Sequence, residues 1–275
     1  MVTARNRVVA PLVTLAMLVL LGVTGTGLYM LARHSAAQDP TATTAPVPPL
    51  LPGAPKLAQP APVAAASVPP LGHDVSFPQC RTALPAGGYG IVGLTGGKPL
   101  SSNVCAGPQL GWAAAKQGHA VYVNTGWTGT GDPVAYGRRV IDDAIAREHA
   151  TGRGGTAVWW LDVETVNTWL GTPQQNATVL DAMAARLLGL GARVGIYSTP
   201  KMWAEIAGGW APGLPVWYAT GPGTMQTALS VCNLGFAGSA TAIAQWVQRT
   251  SAAELDHDVI CPAFTHRAAE LLDLG

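Results

Sequence analysis

Residues 157–164 read Ala-Val-Trp-Trp-Leu-Asp-Val-Glu. An apolar run ends in two carboxylates and then meets a polar stretch, the profile of a buried strand whose tip surfaces. Side chains alternate along a strand, so Trp160, Asp162 and Glu164 share one face and Leu161 and Val163 the other. Two carboxyls at one strand tip repel when both are ionised, which raises the pKa of one of them. A carboxyl raised in this way can donate a proton near neutral pH. Two solvated acids capping a strand would show the same spacing, so the rest of the chain has to carry the distinction.

The positioning elements are short and regular. Apolar segments bounded by Gly, Pro or polar residues recur at 72–77, 89–95, 120–124, 156–163, 193–198, 214–219 and 242–247, with a weak one at 234–237. Helix-like stretches fall at 108–117, 134–150, 173–190 and 200–206. Pro173 and Pro200 suit a first helical turn, with Thr172 and Thr199 as caps. Strand and helix in alternation predict a parallel sheet with crossovers. About eight strands in roughly 200 residues predict an α/β fold of the small, TIM-like (β/α)-barrel type with some helices shortened. A doubly wound open sheet is the runner-up.

Such barrels gather their chemistry at the C-terminal ends of the strands. Asp74 lies in the first segment, Asn124 ends the third, and Asp162 and Glu164 end the fourth. Tyr197 and Ser198 close the fifth. Trp217 stands late in the sixth, Gln245 and Trp246 late in the eighth, and Asp256 and Asp258 follow it.

Composition narrows the partners. Net charge is +1, with 11% charged residues, so no polyanion and hence no nucleic acid is expected. A Gly-x-Gly-x-x-Gly at Gly88–Gly93 runs into a strand instead of opening a helix, which removes the dinucleotide reading. Neither His-x-x-x-His nor His-Glu-x-x-His accompanies His73 or His257, so no metal and no cofactor is expected. A serine hydrolase is disfavoured because no Gly-x-Ser-x-Gly occurs, which leaves Ser76 as a hydrogen-bonding residue.

Residues 1–34 carry an apolar stretch from Val8 to Leu31, with Arg5 and Arg7 before it and Arg33 after it. At about 24 residues it is long enough to span a bilayer and longer than the roughly 7–15 apolar residues of a signal peptide. A single-pass membrane anchor with a cytoplasmic N-terminus is expected, a cleaved signal with secretion being the alternative. Residues 35–70 are rich in Pro and Ala and read as an extended spacer. Residues 71–275 form the folded, extracytoplasmic domain. All four cysteines lie there, an even count that suggests two disulfides outside the cytoplasm. Of the three pairings, Cys80–Cys105 and Cys232–Cys261 close the shorter loops and are preferred.

With these residues in view, the domain resembles the lysozyme-type muramidases of glycoside hydrolase family 25, and more closely an actinobacterial group of exported proteins related to them. Four stretches carry the resemblance: His73-Asp74-Val75-Ser76-Phe77-Pro78-Gln79-Cys80, Trp160-Leu161-Asp162-Val163-Glu164, Gly195-Ile196-Tyr197-Ser198, and Gln245-Trp246 followed by Asp256-His257-Asp258. They span about 72–264. The chain departs from the pattern at Ala244 and Trp246, where the family has Trp and Tyr. It departs again at Asp258-Val259-Ile260, which leaves Asp256 and Asp258 both as candidates for the closing acid.

The resemblance implies hydrolysis of an N-acetylated cell-wall glycan. Glu164 would be the general acid, and Asp162 would orient the substrate's own acetamido group for attack at the anomeric carbon. Asp74 and one of Asp256 and Asp258 would tune charge, and Trp217 and Trp246 would stack on sugar faces. Asn124, Tyr197 and Gln245 would complete the binding set. A catalytically inactive glycan-binding protein of the same fold is the alternative.

Overall fold

The computed structural model describes residues 71–249 and 254–274. The strands are β1 (Leu71–Val75), β2 (Tyr89–Gly93), β3 (Gly118–Asn124), β4 (Val158–Asp162), β5 (Arg193–Ser198), β6 (Val216–Pro222), β7 (Gly235–Phe236), β8 (Ser239–Arg249) and β9 (Glu254–Ile260). The helices are α1 (Ala106–Ala114), α2 (Pro133–Ala150), α3 (Pro173–Gly189), α4 (Pro200–Ala207) and α5 (Met225–Ser230). The first six strands pair in order and in parallel, and β6 pairs in parallel with β8. An antiparallel β9 then joins β8 to β1 and closes the barrel. Eight staves result, seven of them parallel.

Two expectations are corrected. The segment at 234–237 is not a stave: β7 is a two-residue arm paired only with β8 among the strands. The eighth stave is β9, where a tail following the last strand was expected. Its sequence, Glu-Leu-Asp-His-Asp-Val-Ile, carries too much charge to read as a strand. The acids are tolerated because alternation sends Asp256 and Asp258 into a lumen with polar partners. The expected membrane span at 8–31 and the spacer at 35–70 lie outside the described residues. Among those residues, no helix is long and apolar enough to cross a membrane.

Parity along each strand builds two apolar layers. Val121, Val123, Leu161, Val163, Val194 and Ile196 face outward and pack with Val140, Ile141, Val179, Leu180, Met183 and Leu187 of α2 and α3. Thr172 caps α3 by accepting from the Gln175 amide, and Thr199 caps α4 by accepting from Met202. The opposite parity fills the lumen with Tyr89, Ile91, Ala120, Trp160, Trp217 and Ile243. At its N-terminal end the C-terminal segment folds back, with Asp273 bridging His119 on β3. Both disulfides form as expected, Cys80–Cys105 and Cys232–Cys261, with Cα–Cα distances of 5.6 and 5.4 Å.

The lumen admits its large aromatics because neighbouring staves carry glycine. A Cβ on Gly195 would stand 2.3 Å from the Trp160 ring, and one on Gly72 the same distance from Tyr89. Overpacking of this kind costs about 1–3 kcal/mol. Gly195→Ala is therefore expected to lower the denaturation midpoint by that equivalent. Gly209→Ala, where nothing lies within 4 Å, is the control and should leave it within error.

Candidate active site

The C-terminal mouth of the barrel holds a cavity of about 170 Å³ lined by Asp74, Tyr122, Asp162, Glu164, Tyr197, Trp217, Gln245, Val247 and Asp256. Each lining residue belongs to the inward parity of its strand or of the residues just beyond it. The antiparallel run of β9 brings its N-terminal end, not its C-terminal end, to this mouth. Asp256 pairs with Val247 near the rim, and Asp258 lies one level deeper, opposite Gln245 and Gly72.

The tip of β4 is pinned residue by residue. Thr125 donates to the Asp162 carbonyl from its amide at 3.0 Å and its hydroxyl at 2.6 Å. The Ser198 hydroxyl donates to the Val163 carbonyl at 2.6 Å. The Glu164 carbonyl accepts from the Asn167 amide and the Trp169 indole, both at 3.1 Å. These bonds continue the alternation past the strand's end, so Asp162 and Glu164 stay on one face and their carboxyls meet. Asn124 donates its side-chain amide to Asp162 Oδ2. Thr95 orients that amide by donating to Asn124 Oδ1 at 2.6 Å. Asp162 Oδ1 receives no N–H or hydroxyl, which leaves a buried acceptor open beside Glu164. Burial pushes Asp162 well above the usual carboxylate range, and the neighbouring Glu164 charge adds to it. Burial raises Glu164 too, and the bond from Asp162 partly offsets the rise.

On the far wall, Gln245 donates to Asp74 Oδ2 at 2.7 Å and accepts from the Tyr197 hydroxyl at 2.8 Å. Trp217 donates its indole N–H to Asp258 Oδ1 at 2.8 Å. Asp74 and Asp258 are both raised well above the ordinary range, by burial first and then by neighbouring acids. Asp256 is raised from 3.8 to about 6 by burial and by the charges of Glu254 and Glu164.

The structure therefore brings Asp74, Asp162, Glu164, Tyr197, Trp217, Gln245 and Asp256 to one cavity, with Asn124 directly behind Asp162. Asp258 supports the floor from beneath. Trp246 does not reach the cavity. It follows Gln245 directly, and consecutive strand residues face opposite ways. Its ring lies outside the barrel, stacked on His257 with centroids 4.9 Å apart, and His257 in turn meets His73 at 4.5 Å. Sequence reasoning missed Tyr122 and Thr95. Tyr122 was legible, since it sits two residues before Asn124 and so shares its face. Thr95 gave only the weak signal of a polar residue after a buried run. Among the described residues no group of three or more His, Cys, Asp and Glu is arranged to hold a metal ion.

The raised acids predict an inverted pH dependence of stability. For Asp256 the folded state keeps a proton that the unfolded chain releases from about pH 3.8. Its contribution is thus fully present below that pH and lost as pH rises through about 6. The melting temperature is expected to be several degrees higher at pH 5 than at pH 8. Asp256→Asn should narrow that gap; thermal scans of both proteins across this range check it.

A family model described as "Lysozyme-like protein 1" matches residues 139–232, a stretch that includes Asp162, Glu164, Tyr197 and Trp217. Two curated Dictyostelium discoideum proteins are similar over shorter stretches. "Probable GH family 25 lysozyme 4" is 33% identical over 69 residues, covering 24% of this chain and 32% of that protein. "Probable GH family 25 lysozyme 2" is 34% identical over 62 residues, covering 22% and 29%. The chain thus spans about a third of the length of these relatives. Among solved structures, the CTP1L endolysin superposes with a TM-score of 0.50 at 13% identity, over 70% of this chain and 67% of that one, a likeness of fold alone. The barrel supplies the architecture and the matched segment supplies the Asp-x-Glu tip, and on these grounds the domain is a glycoside hydrolase family 25-like domain.

Proposed function

We propose that this domain hydrolyses an N-acetylated, β-1,4-linked cell-wall glycan of the peptidoglycan type. The observation that carries the reading is the Asp162–Glu164 pair, two neighbouring carboxyls that line the mouth of an otherwise uncharged-to-acidic cavity. Among the described residues no Lys or Arg lines it. Such a site disfavours anionic groups at the reacting centre and stabilises developing positive charge at an anomeric carbon. The names of the similar lysozymes and of the endolysin point to the same substrate class.

The chemistry follows from where the shared proton goes. An acetamido N–H placed against Asp162 supplies the donor that Oδ1 lacks. The proton between the two acids then resides on Glu164, which delivers it to the leaving glycosidic oxygen. The acetamido oxygen attacks the anomeric carbon from the opposite face, and Asp162 stabilises the charge that develops on its nitrogen. Water later opens the cyclic intermediate, and Glu164 takes a proton back, so configuration is retained. The close approach of the carboxyls suits this route, because an inverting pair needs a spacing of about 6.5–9.5 Å to admit a water. The cavity is smaller than the ~300 Å³ typical of sites that enclose a whole ligand. It fits one unit of a polymer that lies across the barrel mouth.

Turbidity loss of purified cell walls tests the reading. Glu164→Gln keeps shape and removes the dissociable proton, and is expected to lower kcat at least about a hundredfold while wall binding is retained. Asp162→Asn should lower kcat by a similar factor. Equal lysis by wild type and Glu164→Gln would overturn the mechanism. Wall binding without lysis in any form would establish the glycan-binding alternative.

We further propose that residues 8–31 anchor the chain in the membrane with the barrel outside, which agrees with the two disulfides. Fractionation is expected to leave the full-length chain with the membrane. Recovery from the medium with a new N-terminus near Gln38 would show a cleaved signal.

A further inference from the structure

Asp258 is not part of the cavity lining, yet it is a fully buried acid (0% exposed), and no Lys or Arg among the described residues pairs with it. It sits on the inner face of β9, opposite Gly72 of β1 and Gln245 of β8. One oxygen is satisfied: Oδ1 accepts from the Trp217 indole at 2.8 Å. The other, Oδ2, receives no N–H or hydroxyl. The groups that face it are Asp74 of β1, Tyr89 of β2, and Asp256 on its own strand. Further up the lumen stand Tyr122 of β3, Asp162 and Glu164 beyond β4, and Tyr197 of β5. None of these carries a positive charge. On the inner faces of the paired strands β1 and β9 Asp74 stands diagonally across from Asp258, and Gln245, opposite Asp258, donates to Asp74 Oδ2, so the two carboxyls are neighbours while Asp258 Oδ2 lacks a donor. Two ionised carboxylates could not satisfy each other there, since each would only accept. An uncompensated pair of buried charges would also carry a heavy desolvation penalty.

We propose that Asp258 is a positioning residue that shares one proton with Asp74. The shared proton makes the pair a single charge and satisfies the facing oxygens. With Trp217 holding Asp258 from one side and Gln245 holding Asp74 from the other, it fixes the angle at which Asp74 meets the cavity. The same bond ties the Trp217 ring, a wall of the cavity, to the floor. The effect on turnover rests on the proposed glycosidase reading; the shared proton does not.

The assignment separates two substitutions of similar size. Asparagine at 258 can accept from Trp217 and donate its amide to Asp74, so Asp258→Asn preserves the geometry without the shared proton. Asp258→Leu can do neither. Infrared difference spectra of the full-length chain at pH 7 are expected to show one carboxylic-acid C=O band fewer in Asp258→Asn than in wild type. In wall lysis, Asp258→Asn should stay within about threefold of wild type. Asp258→Leu should lose about tenfold to a hundredfold in kcat with KM little changed. Circular dichroism controls for folding. An unchanged acid band in Asp258→Asn would overturn the proposal, as would equal lysis by Asp258→Leu and wild type. If wild type lyses no walls but the band disappears as expected, the glycosidase reading fails and the shared proton stands.

Discussion

Every second side chain of a barrel stave points into the lumen, and here that parity collects five carboxyls with no Lys or Arg among the described lining residues. Asp74, Asp162, Glu164, Asp256 and Asp258 all lie on inward faces or continue one. Closure of the barrel leaves no room for a balancing Lys or Arg, because the same parity fills the space below with Tyr89, Trp160 and Trp217. So many buried acids are accommodated by raised proton affinities and by neutral donors. Asn124, Gln245 and Trp217 are those donors. Much of the mouth of the barrel can be understood as a solution to this one electrostatic problem.

Precision at the site depends on backbone beyond the strands. Strand β4 ends at Asp162, and without support the chain would fray before Glu164. Instead the 162 and 163 carbonyls have donors from the ends of the neighbouring strands, and the 164 carbonyl has donors from its own loop. The loops after β3 and β4 are also bridged at Trp127 and Trp169. A carboxyl pair that must exchange a proton needs its two heavy atoms held within hydrogen-bond reach, and this pinning supplies that constraint.

The fold was largely legible because its signals are local. Seven of the staves and four helices follow from apolar runs, prolines at first helical turns and threonine caps. What escaped was non-local. Strand β9 looks like a polar tail until the lumen is known to offer Trp217 to Asp258. β7 looks like a stave because a weak apolar run does not say what it pairs with. Trp246 illustrates an error that parity alone could have prevented, since Gln245 and Trp246 cannot both face one cavity. Tyr122 is the converse, a site residue that parity with Asn124 already implied. Thr95 needed the structure, because its role depends on the strand beside it.

Depth separates the two acid pairs more than composition does. Glu164 is partly open to the mouth, so the proton it shares with Asp162 can be displaced by an incoming amide and passed to a leaving group. Asp258 is sealed beneath the cavity, and its contacts to Trp217 and Asp74 leave no path for substrate to compete. The upper pair is therefore suited to chemistry and the lower pair to holding shape. The two are linked physically through Asp74, Gln245 and Tyr197, which connect the floor to the wall facing Glu164. A change in charge below thus reaches the reacting acids through oriented dipoles as well as through space.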